Sequence, residues 1–158
     1  LKKTDVIHFI KRWDKEDINF LKLFLEEKKN NQKIFISNSN VPNKIIREQF
    51  TLLDNFLLKK GKIPNSNELL SLEKNYFKYF VSSKNYQEIN KILIKIFKIY
   101  DLHFVDRAKF QCNYENKKCL VLSKDKEKLI YDIDHYTIAG AKLFGKKTIN
   151  SKYFDLLK

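Results

Sequence analysis

The sequence predicts an α/β fold organised on a parallel sheet, and three observations carry that expectation. Short apolar runs rich in β-branched and aromatic residues stand at 5–10, 33–37 and 102–106, the composition of strands buried in a sheet interior. Apolar residues repeat at helical spacing in the stretches between them. Strand and helix therefore alternate, which is the order of βαβ crossovers and not of hairpins. The 158 residues suffice for one domain with its own core, and the expectation is a single domain over 1–158.

The run Asp-Val-Ile-His-Phe-Ile at 5–10 has no carboxylate beside its histidine, so His8 is read as a core or sheet-face residue. The strand ends at Lys11-Arg12-Trp13. Ligands of open α/β sheets bind beyond the carboxyl ends of strands, which makes Arg12 and Trp13 candidate substrate contacts. Packing is the plainer reading of the tryptophan. From 14 to 29, Ile18, Leu21, Phe24 and Leu25 share one helical face, with acids early and lysines late to suit the helix dipole. The strand at 33–37 is followed by a polar loop through 43. Its first residue, Asn38, is a third candidate contact, although turn chemistry alone explains Asn, Ser and Pro there.

Residues 44–80 are expected to be a helical insertion. Ile46, Phe50, Leu53, Phe56 and Leu57 form one stripe, and Leu69, Leu72, Tyr76, Phe77 and Phe80 form another across a turn that begins at Gly61. A helix at 86–100, with Ile89, Ile92, Leu93, Ile96 and Phe97 on one side, leads into the strand at 102–106, where His103 is read as structural like His8. Runs at 120–122 and 129–131 are suited to a small hairpin around Lys124-Asp125-Lys126, and 150–157 to a short terminal segment.

The formal net charge is +13, yet Arg12, Arg47 and Arg107 are the only arginines, and the lysines are spread along every element. Arginine is favoured for bidentate phosphate and guanine contacts, so this pattern argues against specific nucleic-acid binding. No apolar run approaches the ~20 residues needed to span a bilayer. Cys112 and Cys119 lack the two further ligands of a zinc site. They are either a small disulfide loop, which implies an oxidising compartment such as the periplasm, or two buried thiols.

The stretch 128–144 holds the strongest chemical signal. Asp132 stands three residues before His135, and Thr137 is placed to cap a helix whose apolar face includes Ile138, Ala141, Leu143 and Phe144. A carboxylate one turn from an imidazole fixes its tautomer and stabilises the imidazolium formed on proton transfer. Asp132 and His135 are thus candidates for the orienting half of a Ser-His-Asp apparatus, on a loop expected at the open rim of the sheet. Simple loop and helix capping by the same residues is the alternative.

Four features taken together resemble the SGNH superfamily of Gly-Asp-Ser hydrolases and acyltransferases. They are the strand ending in Arg12-Trp13, the 33–38 strand and loop, the paired cysteines, and Tyr-Asp-Ile-Asp-His-Tyr-Thr-Ile-Ala-Gly-Ala at 131–141. The resemblance covers nearly the whole chain and is closest to the SGNH domain of acyltransferase-three proteins, which O-acylate bacterial surface polysaccharides. It implies a three-layer flavodoxin-like (SGNH) fold, His135 as general base, Asp132 as its orienting acid, and Asp134 and Thr137 as local support. It further implies an acyl donor and a carbohydrate acceptor, a membrane acyltransferase domain as partner, an extracytoplasmic location tethered to the inner membrane, and no cofactor or metal. The departure is at the front. Gly61, Gly140 and Gly145 are followed by Lys62, Ala141 and Lys146, so no Gly-Asp-Ser block can be drawn. The expectation is that the first strand and the serine lie upstream of Leu1. The alternative is a noncatalytic basic module that binds anionic polysaccharide or a protein partner.

Overall fold

The computed structural model describes residues 6–11, 13–28, 32–38, 50–132 and 135–151. Arg12, Asp134, most of the loop after Asn38, the start of the 44–80 insertion and the segment after 151 lie outside the described residues. In chain order the elements are β1 (Val6–Phe9), α1 (Lys15–Glu26), β2 (Lys33–Ser37), α2 (Leu52–Lys60), α3 (Ser66–Ser82), α4 (Lys84–Ile99), β3 (His103–Val105), α5 (Ala108–Gln111), β4 (Cys112–Asn113), β5 (Lys118–Cys119) and α6 (Ile138–Ile149). This is the α/β class expected, with a three-stranded parallel sheet in the order β1-β2-β3. The chain divides into two compact units.

The first unit holds the sheet with α1 and α4. Ile34 and Ile36 of β2 pack with Ile18, Leu21 and Leu25 of α1 and with Ile89, Leu93 and Ile96 of α4 in one hydrophobic cluster. Both helices therefore cover the same sheet face, as successive crossovers of one hand that step in one direction require. The other face carries His8, Phe35 and His103 side by side in register, the Phe35 ring stacked on His103 with centroids 4.6 Å apart. His8 is on the sheet face, as expected, with Nε2 3.0 Å from the Ser37 hydroxyl. Helix α1 begins at an Asp14/Asp17 capping box but stops at Glu26, short of the lysines expected in its last turn. Lys28, beyond that end, donates to the Tyr100 carbonyl at 3.3 Å.

The second unit is helical and clasped by a small ribbon. Thr51 and Asp54 form a capping box that starts α2, so Phe50 lies ahead of the helix instead of in its apolar stripe. Gly61 ends α2 with φ 62°, the left-handed conformation that a residue without Cβ adopts at low cost. Asn65 and Glu68 then cap α3. Tyr76, Phe77 and Phe80 of α3 are buried; Tyr114 meets the rings of Phe77 and Phe80 edge-on at 5.8 and 6.0 Å. Strands β4 and β5 pair Cys112 with Cys119, and the two are joined by a disulfide with Cα atoms 3.9 Å apart. The expected hairpin is present in reduced form, as one bridge between Leu122 and Lys128 with Leu129 N–H donating to the Val121 carbonyl at 3.0 Å. Among the described residues no helix is long and apolar enough to cross a membrane.

Candidate active site

The structure joins Asp132 and His135 directly. Both carboxylate oxygens of Asp132 lie 2.9 Å from His135 Nδ1, and Oδ1 also accepts the His135 backbone N–H at 2.9 Å. The carboxylate therefore grips backbone and ring of the same residue, which leaves the imidazole little freedom to rotate away. The Asp132 side chain is 13% exposed and that of His135 74%, so the acid is covered while the ring faces outward. With the proton of a neutral imidazole held on Nδ1 by the carboxylate, the basic lone pair resides on Nε2.

Backbone hydrogen bonds shape the loop. Tyr131 N–H donates to the His135 carbonyl at 2.9 Å, Ile130 bridges Tyr136, and Thr137 N–H donates to the Leu129 carbonyl at 3.1 Å. The Thr137 hydroxyl donates to the Lys128 carbonyl and accepts the Gly140 N–H at 3.1 Å, so one side chain caps α6 and ties it to the preceding segment. Gly140 permits this closeness. A Cβ there would stand 1.9 Å from the Leu129 carbonyl oxygen.

Lys128 supports the loop from α2. Its ammonium group is 2.7 Å from each oxygen of Asp54 and donates to the Tyr131 carbonyl at 3.1 Å, one residue from Asp132. Asp54 thereby serves twice, since it also completes the Thr51 capping box. Sequence reasoning missed this link. The Thr51-x-x-Asp54 pattern signals a helix start, but no local pattern connects Asp54 to a lysine 74 residues away.

The other two described candidates, Trp13 and Asn38, belong to the first unit. Trp13 is buried and its indole N–H donates to the Ser37 carbonyl at 2.6 Å. Asn38 is 1% exposed. Its amide donates to Asp106 at 2.7 Å and accepts the Arg107 backbone N–H at 2.7 Å, fastening the end of β2 to the segment after β3. Every Trp13 and Asn38 contact described here joins one part of the first unit to another. Among the described residues no group of three or more His, Cys, Asp or Glu gathers to hold a metal ion.

A solved structure shares this architecture. It is the periplasmic domain of the lipopolysaccharide acetyltransferase of Salmonella ser. Paratyphi A, similar with a TM-score of 0.51 and 17% sequence identity over 98% of this chain. The match spans 57% of that structure's own chain. At this identity the likeness is one of fold. No family's sequence profile matches the chain, and no curated protein matches it.

Proposed function

We propose that the chain is the base-bearing part of an SGNH-type O-acyltransferase or esterase acting on acyl esters of cell-surface carbohydrate. The observation that carries this reading is the Asp132 carboxylate seated on His135 Nδ1 with the ring directed outward. The nucleophilic serine comes from a Gly-Asp-Ser segment outside these 158 residues, since none can be drawn within them. Residues 1–158 are read as belonging to one such domain.

In the reaction, His135 Nε2 takes the serine proton as the hydroxyl attacks the donor carbonyl, and Asp132 stabilises the resulting imidazolium. Collapse of the tetrahedral adduct returns that proton to the leaving group and yields the acyl-serine. A sugar hydroxyl then attacks with His135 again as base, so the acyl group passes to carbohydrate. Water in its place gives hydrolysis. The Asp132–His135 pair does the same proton transfers in both outcomes; the acceptor that reaches the acyl-serine decides between them.

The cystine between Cys112 and Cys119 supports an oxidising, extracytoplasmic location. The neighbour in fold is likewise a periplasmic acetyltransferase domain. Tethering to the inner membrane belongs to sequence outside the chain or to a membrane acyltransferase partner. The test is His135→Ala in the parent protein, assayed for acetyl release and for transfer to polysaccharide. The expected loss is ~10³-fold or more; undiminished activity would remove His135 from the mechanism.

A further inference from the structure

The outer face of α3 is bordered by three concavities that abut one another. One, of about 510 Å³, lies between α3 and the turn of the disulfide ribbon and is lined by Lys74, Lys78 and Lys117 together with the apolar Phe77 and Val81. A second, of about 310 Å³, shares Lys74 and Lys78 with it and adds Asn67, Ser71 and Asn75. A third, of about 540 Å³, shares Asn75 and Lys78 and reaches Leu52 at the start of α2. Together they make an open track along a helix of 17 residues, about 25 Å long.

Its chemistry is specific in kind. Neutral hydrogen-bonding side chains, Asn67, Ser71, Asn75 and Ser82, alternate with ammonium groups. Among the described residues Lys74, Lys78 and Lys117 make no ion pair, whereas Lys62, Lys118 and Lys128 are matched with Glu68, Glu73 and Asp54. Glu115 is the one carboxylate lining any of the three concavities. Both walls of the first concavity are fixed beforehand. Helix α3 has a complete capping box, and the ribbon turn is closed by the disulfide and by Asn116 N–H donating to the Asn113 amide oxygen at 2.8 Å. A preformed, shallow and elongated surface of amides, hydroxyls and unmatched cations suits a chain of sugar rings with negative substituents. A single lipid headgroup would occupy only one point of it.

We infer that the α3 face is a binding track for a linear anionic polysaccharide, held by hydroxyl contacts to Asn75 and Ser71 and by ion pairs to Lys74 and Lys78. Naming this polymer the acyl acceptor rests on the reading above; binding to the track does not. The end of the track at Leu52 is two residues from Asp54, which Lys128 connects to the loop holding Asp132.

The experiment is calorimetric titration of the protein with tri-galacturonate, with maltotriose as uncharged counterpart and phosphatidylglycerol vesicles as lipid counterpart. Lys74→Gln/Lys78→Gln is expected to weaken tri-galacturonate binding roughly tenfold, the sum of two exposed ion pairs. Lys91→Gln/Lys95→Gln, which removes the same charge at the same spacing from α4, is expected to change it less than about twofold by screened long-range attraction alone. Asn75→Ala, which alters no charge, is expected to weaken it about threefold. Equal losses in the two lysine pairs, no loss in the first pair, or Lys74- and Lys78-dependent binding that favours the vesicles would each overturn the track. His135→Ala is expected to bind like the wild type. Binding that survives while the parent protein, with its upstream segment, shows no acyl transfer would sink the enzymatic reading and keep the track; His135-dependent transfer by the parent protein without tri-galacturonate binding would do the reverse.

Discussion

Polar side chains gather at two places, the strand ends of the parallel sheet and the loop before α6, and their atoms are directed differently. At the strand ends Trp13, Ser37 and Asn38 are buried, and the contacts seen there run to neighbouring strands and segments. At the loop, Asp132 is covered but its partner His135 is 74% exposed at the side chain. In the first place the polar atoms tie strand ends and neighbouring segments together; in the second a covered carboxylate secures one nitrogen of a ring that is itself exposed.

Three pairs of substitutions test these two environments. The largest effect is expected at Gly140, where a Cβ would meet the Leu129 carbonyl oxygen at 1.9 Å and its carbon at 2.8 Å. Because the obstacle is backbone, Gly140→Ala should lower unfolding stability by about 3 kcal/mol or more in urea titration. Gly145 has nothing within 4 Å, and Gly145→Ala in the same helix should stabilise by about 0.5–1 kcal/mol. If both changes proved equally mild, the close approach of α6 to Leu129 would be wrong.

Next comes the exchange of Asn38 against Asp132. Asn38→Ala strips the Arg107 N–H and Asp106 of their buried partner and should cost about 2 kcal/mol of stability. Asp132→Asn should cost less than about 1 kcal/mol in the same titration while reducing acyl transfer by the parent protein at least about a hundredfold through loss of the correct tautomer. A stability loss at Asp132 matching that at Asn38, with transfer intact, would make both residues merely structural.

The smallest effects are in pH and have opposite signs in the two units. Burial, with the Arg107 charge adding to it, holds His8 below its ordinary value of 6.5. Its folded form therefore binds a proton less readily than its unfolded form, and its contribution to stability is lost as pH falls from 6.5 through the folded value. Burial pushes the Glu73 carboxyl above its ordinary 4.5, against the pull of Lys118 at 3.5 Å. The folded form here takes the proton first, so stability is gained as pH falls through the raised value towards 4.5. Unfolding measured between pH 7.5 and 4.5 should show wild type losing ground to His8→Gln and gaining on Glu73→Gln. The same sign for both would reverse one of these environments.

Much of the scaffold was legible because its causes are local. The strand at 33–37 and the helices around Leu21, Tyr76 and Leu93 follow from the spacing of their apolar residues, and these emerge where expected. The start of α2 differs because the Thr51 cap outweighs an apolar pattern that includes Phe50, and α1 ends at Glu26, before the lysines. The pairing of Asp132 with His135 was also legible, since three residues of separation leave few ways for a carboxylate to miss the ring.

The order of residues was enough for the α/β class, the Thr137 cap, the short cystine loop as one of two possibilities, and the Asp-x-x-His element. All depend on residues within a few positions of one another, where chain connectivity limits the geometry. Only the folded chain shows that Lys128 reaches Asp54 across 74 residues, that Gly140 must lack a side chain, and that Asn38 and Trp13 are buried with hydrogen bonds inside the first unit. Those outcomes depend on which surfaces meet after the chain has closed on itself, a matter that no window of sequence contains.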